Sequence, residues 1–250
     1  MVAALKAAPM FSRGIIFGFM LACLPLFAAA AAELQYVVIA VTGPEMNIKE
    51  GQRIDAGKTI TLPPETSVRL LSATGRMISI SGPFSGPVAA PETGAPAGDA
   101  QVVARLAKFL SERPAATSAL GAMRSVPLTA HTKEPSDPWH IVISESDIQC
   151  GRPPHIQMWR KDARKEAHLQ LTSAGGDAVR VVWPKEQNTL PLPAQFVVDQ
   201  SSFQAVVGNQ VMTVRLRLSP EALSNPAEIA DWMVATGCKR QAILFLETLR

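Results

Sequence analysis

Short apolar segments recur about every ten residues between Trp139 and Leu218, and this spacing constrains the fold more than any other feature. The segments are rich in β-branched and aromatic residues, which favour strands. Tight turns are indicated at Gly175-Gly176-Asp177 and at Gly208-Asn209. Strands of this length and spacing predict a β-sandwich. The seven segments are WHIVIS, HIQMWR, AHLQLT, AVRVVW, QFVVD, FQAVV and VMTVRLRL.

Two helices are predicted after the sandwich. Asn225 is a suitable N-cap, Pro226 fits the first turn, and Glu228 completes a variant of the capping box. Gly237 is placed to end this helix in a left-handed conformation. The second helix begins at Cys238 and runs to the C-terminus. Residues 139–250 are therefore expected to form a β-sandwich with a C-terminal helical pair.

A smaller β-rich module is predicted before the sandwich, in residues 33–84. It opens with the β-branched run YVVIAVTG, and the sequence after Arg53 alternates apolar and polar residues between turns at Gly57, Pro63-Pro64 and Gly75. This alternation is typical of antiparallel strands with one buried face. The chain as a whole is thus predicted to be mainly β.

About fifty residues of this module resemble the FecR-type extracytoplasmic domain. In that family a glycine-led strand, a leucine-proline turn and a Ser-Val-Arg-Leu strand follow one another. The chain departs from the pattern at Pro64-Glu65-Thr66, where the family has an Asp-Gly turn. The resemblance implies a periplasmic sensing or docking module without catalytic residues. The matching residues are Gly57, Leu62, Pro63, Ser67, Val68, Arg69 and Leu70.

Residues 85–138 are predicted to be a linker that contains one short helix. The stretch from Ser81 to Ala100 is dense in Pro, Gly and Ala, and a second proline-bearing polar stretch covers 129–138. Between them, apolar residues at helical spacing predict a helix over 99–113, with Asp99 as its N-cap. Its apolar stripe is expected to dock on the protein itself rather than on a partner.

The N-terminus has the features of a secretory signal peptide, residues 1–32. Lys6 and Arg13 precede an apolar run over 15–32, and small residues at its end suit cleavage near Ala32. Two alternatives are retention of 15–32 as an inner-membrane anchor and lipidation of Cys23. We therefore expect a periplasmic protein, with contact to a membrane only if this segment is left uncleaved.

The charge balance gives no support for binding to nucleic acid. Loss of Lys6 and Arg13 lowers the basic count from 24 to 22 against 21 acidic residues, so the exported chain would carry a net charge of only +1. Nucleic acid requires a clustered basic surface. The one basic cluster, over 159–168, also contains Asp162 and Glu166 and is more typical of a solvated turn.

Cysteine usage predicts one disulfide. Cys23 would leave with the signal peptide, so Cys150 and Cys238 remain as a pair in an oxidising compartment. A bond between them would hold the helical pair against the preceding β module. The rival interpretations are a thiolate nucleophile or a metal ligand.

No catalytic or metal signature is recognisable in the sequence. It contains no Gly-x-Ser-x-Gly elbow, no His-Glu-x-x-His and no phosphate-binding glycine loop. The four histidines match no standard metal spacing, although His140 and His168 fall in predicted strands that could meet. The hydroxyl and carboxylate groups over 144–147 are best explained as a polar turn. No catalytic residue, metal ligand or cofactor is therefore predicted.

Two functions remain open at this point. The first is a non-enzymatic periplasmic binding or assembly module that docks onto another envelope protein or membrane sensor. The second is a domain that binds or hydrolyses a glycan or small molecule, with Trp159 or Trp183 as its ligand surface. Tryptophans in sandwich strands are more commonly core residues.

The C-terminal helix resembles that of a group of secreted proteobacterial proteins, which end in a Gly-Cys-x-x-Gln-Ala helix. The matching residues are Gly237, Cys238, Gln241 and Ala242. This resemblance implies no particular activity.

Overall fold

A computed structural model of the chain describes residues 34–44, 46–89, 99–113 and 135–249. The predicted signal peptide, its alternatives at 15–32 and Cys23, and His131 lie outside these residues. The mainly β class is confirmed, with open sheets and a C-terminal helical pair. No helix within the described ranges is long and apolar enough to cross a membrane.

The N-terminal module is a four-stranded antiparallel sheet with a two-stranded sheet packed on one side. The order in the larger sheet is β2-β1-β4-β5, and β3 pairs with β6. The strands are β1 (Gln35–Thr42), β2 (Arg53–Asp55), β3 (Thr59–Leu62), β4 (Ser67–Ser72), β5 (Met77–Ser81) and β6 (Phe84–Pro87).

Strand β1 is buried on both faces, which explains its unbroken apolar sequence. Tyr36 and Val38 face the small core shared with β3 and β4. Val37 and Ile39, which point the opposite way, belong to a core built with the helices. Alternate residues of a single strand therefore supply two separate cores.

Two details differ from the sequence expectations for this module. Strand β6 and the fully buried Val88 lie inside the stretch predicted as linker, so its first residues are ordered. Pairing of β6 with β3 explains this order, because it satisfies backbone groups and needs few large side chains. At the turn where FecR-type domains have Asp-Gly, Glu65 adopts a positive φ of 60°.

Three helices form a layer between the N-terminal sheet and the C-terminal β module. They are α1 (Ala100–Ser111), α2 (Pro226–Thr236) and α3 (Lys239–Thr248). The apolar stripe of α1 is buried against β1 and α2, as expected of a helix docked on its own chain. The shared core holds residues from β1, from β4 and from all three helices, together with Cys150 and Cys238.

Both predicted ends of α2 are confirmed, whereas α3 ends at Thr248 and not at the last residue. Asn225 caps α2 by accepting a hydrogen bond from the Ala227 N–H at 2.9 Å, and its Nδ2 donates to the Ala73 carbonyl of the N-terminal module. Gly75 makes this approach possible, because a Cβ there would lie 2.3 Å from the Asn225 side chain. Gly237 ends α2 with φ 92°, and α3 begins one residue after its N-cap, Cys238.

The C-terminal β module consists of a five-stranded and a three-stranded sheet, with the orders β11-β10-β13-β14-β8 and β12-β9-β7. Both sheets contribute to one core, as a sandwich requires. The strands are β7 (Ile141–Val142), β8 (Ile148–Gly151), β9 (Gln157–Trp159), β10 (Ala167–Ser173), β11 (Ala178–Trp183), β12 (Thr189–Pro191), β13 (Ser202–Val207) and β14 (Gln210–Leu218).

Three features of the sandwich were not predicted. The segment QFVVD is not a strand, since Ala194–Phe196 form a short 3-10 helix that places Phe196 in the core. The strand β12 replaces it in the smaller sheet. Two strand pairs, β14 with β8 and β7 with β9, are parallel.

Candidate functional site

The two tryptophans proposed as a ligand surface are buried. Trp159 ends β9 and is 6 % exposed, while Trp183 ends β11 and is fully buried in the core between the sheets. The Arg160 guanidinium lies over the Trp183 ring, 5.2 Å from its centroid. Neither ring presents an open face to solvent. This burial does not favour stacking of a ligand on either ring, which remains a prediction.

Trp183 nevertheless lines a cleft of about 250 Å³ in the sandwich. Apolar side chains form most of its wall, and Arg160, Lys161 and Asp162 supply the charges around it. The indole Nε1–H of Trp183 is buried and has no acceptor. The apolar wall residues are Ile143, Ala167, Val207 and Met212.

Arg160 is held in place by backbone carbonyls rather than by a carboxylate. Its Nε donates to the Gln187 carbonyl at 3.1 Å and its Nη2 to the Pro184 carbonyl at 2.7 Å. The residue is only 6 % exposed. Burial lowers the pKa of the guanidinium, and the nearby Asp162 carboxylate acts in the opposite direction.

The charges at the mouth of the cleft are unequal. Arg164 binds both oxygens of Asp162, at 3.0 Å through Nε and at 2.8 Å through Nη2. These hydrogen bonds hold the pKa of Asp162 well below its usual range. The charge of Asp162 is therefore already neutralised by its ion pair with Arg164. The ammonium of Lys161 is exposed, and no carboxylate of the described residues forms an ion pair with it. The mouth of the cleft therefore carries a net positive charge on the side of Arg160 and Lys161.

One edge of the five-stranded sheet is open. Strand β11 pairs with β10 on one side, and no strand in the described part of the chain pairs with its other side. The ladder begins with the Ser173 N–H donating to the Asp177 carbonyl. Because antiparallel pairs alternate, Arg180 and Val182 turn their backbone groups outward. The side chain of Val182 is 52 % exposed.

The opposite edge of this sheet, strand β8, is closed by a side chain. Gln241 of α3 is 2 % exposed, and its Oε1 accepts a hydrogen bond from the Cys150 N–H at 2.7 Å. Its Nε2 donates to the carbonyls of Cys150 and Pro138, both at 2.7 Å. One amide thus satisfies both outward backbone groups of Cys150, as a neighbouring strand would.

The structure joins Cys150 and Cys238 by a disulfide, with their Cα atoms 5.9 Å apart. Both residues are buried. The bond links β8 to the junction between α2 and α3, as the cysteine count predicted. The alternatives of a free thiolate and a metal ligand do not apply to this bonded pair.

The chain matches no model of a protein family and no curated protein. The FecR-type resemblance and the resemblance to secreted proteobacterial proteins therefore stay predictions.

The other polar residues considered in the sequence are not brought together. The side chain of His140 is 15 % exposed and that of His168 is 83 % exposed on the outer face of β10, so these two do not form a site. Within the described residues, no group of three His, Cys, Asp or Glu side chains could hold a metal ion.

The polar turn at 144–147 is used locally. The Glu145 carboxylate pairs with the Arg240 guanidinium at 2.8 Å, and the Ser146 hydroxyl accepts the Thr213 N–H at 3.0 Å. Asp147 accepts the N–H of Ile148 at 2.7 Å. These contacts are those of a structural turn at the start of β8.

The roles of Arg160 and Gln241 were not predicted from the sequence. Arg160 lies within a cluster of mixed charge, and only its burial and its hydrogen bonds to two backbone carbonyls show that the side chain turns inward. Gln241 was named only as part of the Gly-Cys-x-x-Gln-Ala motif, and the signal for its role is an uncharged amide one helical turn after Cys238.

Proposed function

We propose that the chain is a non-enzymatic, exported binding or assembly module that docks onto another envelope protein or sensor. The docking site is the open edge of β11, to which the partner adds an extended strand. The carrying observation is the contrast between the two edges of one sheet: Gln241 closes β8, while Arg180 and Val182 on β11 keep their outward backbone groups free of described partners.

The sequence of β11 supports this use of the edge. Soluble proteins protect exposed edges with charged side chains, lysine above all, with proline or with bulges, and Arg180 is the one such residue in β11. Strand β11, AVRVVW, contains neither lysine nor proline and pairs with β10 in an uninterrupted register. Such an edge is a template for a further strand.

The exposed side chains define the chemistry of the partner. Val182 favours an apolar residue opposite it, and Arg180 favours a carboxylate. We therefore expect a partner strand in which β-branched and acidic residues alternate on one face.

Export is supported by the disulfide and by the predicted signal peptide, since disulfides persist in oxidising compartments. The FecR-type resemblance adds a family in which such modules sense or dock in the periplasm. Both arguments favour an envelope protein as the partner.

A pair of variants at Val182 tests the proposal. Val182→Pro removes an outward donor and blocks strand addition without breaking the ladder to β10, whereas Val182→Thr keeps the N–H. We expect the wild type and Val182→Thr to recover the same protein from an envelope fraction, and Val182→Pro to lose it. Equal recovery by all three folded proteins would contradict docking at this edge.

The cleft beside Trp183 favours the small-molecule form of the second candidate function over its glycan form, because neither Trp159 nor Trp183 has an open ring face on which a sugar could stack. It predicts that tryptophan fluorescence responds to a ligand that enters the cleft. A panel of cell-wall sugars gives the direct test of the glycan form, and unchanged emission across the panel would count against it.

A further inference from the structure

We propose that the cleft beside Trp183 binds a small amphipathic anion that carries one carboxylate-type head and a short apolar tail. This site is separate from strand docking at β11 and does not depend on it. Three features define the ligand: the apolar wall, an unpaired buried donor and an excess of positive charge.

The wall selects an apolar tail. Ala167, Val207 and Met212 come from the five-stranded sheet and Ile143 follows β7, and together they enclose most of the space. At about 250 Å³ the cleft lies just below the usual range for drug-sized ligands. The tail that fits is consequently short.

The polar groups select an anionic head. The Trp183 Nε1–H is a buried donor with no acceptor, which is an unfavourable state for a donor that is shielded from water. The Arg160 guanidinium and the Lys161 ammonium also line the cleft, while Asp162 is matched by Arg164. A carboxylate at the mouth of the cleft would face both cations, and one that reached Trp183 would supply the acceptor that its indole lacks.

A neutral sugar meets these features less well. A sugar ring usually stacks on an open aromatic face, but Trp183 is fully buried and Arg160 covers one side of its ring. The mainly apolar wall would also leave most sugar hydroxyls without partners, which is unfavourable.

Octanoate is a suitable probe, with octanol and octylamine as matched neutral and cationic compounds. Calorimetry on the oxidised protein should detect octanoate binding at millimolar concentrations or below. We expect octanol to bind at least about tenfold more weakly, and octylamine to bind more weakly still. Equal affinity for octanoate and octanol, or no octanoate binding at all, would overturn the proposal.

Variants at the exposed Lys161 test the charge without disturbing the core. Lys161→Glu should weaken octanoate binding roughly five- to tenfold at low salt, and the matched Lys161→Gln roughly twofold. Trp183→Phe keeps a ring but removes the donor, and should cost roughly tenfold. If Lys161→Glu leaves the affinity for octanoate unchanged, the anionic head is wrong.

The variant Val182→Pro separates the two proposals. It should abolish strand docking and retain octanoate binding. If the wild type does not bind octanoate, only the cleft proposal is contradicted. If Val182→Pro recovers the partner as well as the wild type does, only the edge proposal is contradicted.

Discussion

The single side chain of Gln241 supplies the edge hydrogen bonds that a neighbouring strand supplies elsewhere in the sheet. Its amide donates to and accepts from Cys150 and also satisfies the Pro138 carbonyl. Gln149, equally buried, does the same for Val142, accepting its N–H at 2.6 Å and donating to its carbonyl at 2.8 Å. Two glutamines thus complete short strands that have no backbone neighbour on one side.

The variant Gln241→Met tests this role. It preserves the shape of the side chain but leaves three buried backbone groups without their partner, so unfolding free energy should fall by about 3 kcal/mol or more. Urea unfolding of the oxidised protein measures the loss. Gln204→Met, at an exposed position of β13, is the control and should change stability by less than about 0.5 kcal/mol. Equal effects of the two variants would refute the role of Gln241.

His140 makes stability depend on pH. Burial lowers its pKa below the ordinary value of 6.5, against a smaller opposite effect of Asp137. The unfolded chain therefore takes up the proton first as the pH falls. The stability that neutral His140 preserves is complete above 6.5 and is lost as the pH falls from there towards the folded pKa.

We expect unfolding free energy, measured from pH 8 to pH 5, to decrease less steeply in His140→Gln than in the wild type. His168→Gln, at an exposed position, should follow the wild-type profile. A His140→Gln profile parallel to that of the wild type would show that another group causes the dependence.

At the scale of elements, the ends of helices were predicted correctly from the sequence, but the pairing of strands was not. Asn225 and Gly237 mark helix ends through chemistry that acts within a few residues, so the sequence alone was sufficient. The parallel pairing of β8 with β14 depends on residues far apart in sequence, and alternation carries no information about direction. The same limit applies to the cleft, whose wall comes from β10, β13, β14 and the residue after β7, which are far apart in sequence.

The disulfide connects elements that are 88 residues apart in sequence. The chain-entropy model gives about 4–5 kcal/mol for a loop of this length, as an upper figure, which is comparable to the whole stability of many small domains. Cys150→Ser and Cys238→Ser should each lower the melting temperature, and the double variant should be little worse than either, because one bond is lost in every case.

Reduction provides the control for this prediction. The reduced wild type should melt close to the double variant, and the double variant should not respond to reductant. Mass analysis after alkylation of the unreduced, denatured protein should find no free thiol at Cys150 or Cys238. Two alkylated thiols would exclude the bond.

At the scale of the whole molecule, the helices connect the two β modules. Val37 and Ile39 of β1 share a core with α1, α2 and α3, and the Arg69 guanidinium donates to the Leu249 carbonyl at 2.8 Å. Arg105 of α1 binds Asp231 of α2 through two hydrogen bonds of 2.7 and 2.6 Å. The described residues belong to one compact unit, within which the predicted domain boundaries remain to be tested.

Limited proteolysis tests these boundaries and the role of the helical layer together. Residues 90–98, which lie outside the described residues, are rich in Pro, Gly and Ala and are predicted to be a linker, so elastase should cut there before it degrades either β module. The core shared by β1 and the three helices should then hold the nicked chain together.

We expect two fragments on a denaturing gel but a single species of unchanged size on a native column. Resistance across 90–98 would contradict the linker, and separation of the fragments on the native column would show that the helical layer does not join the modules. The same experiment on Val37→Ala should give fragments that separate more readily. This variant removes apolar contacts with the helices and leaves a cavity in the shared core. That core is the only large apolar contact between the described residues before the cut and those after it.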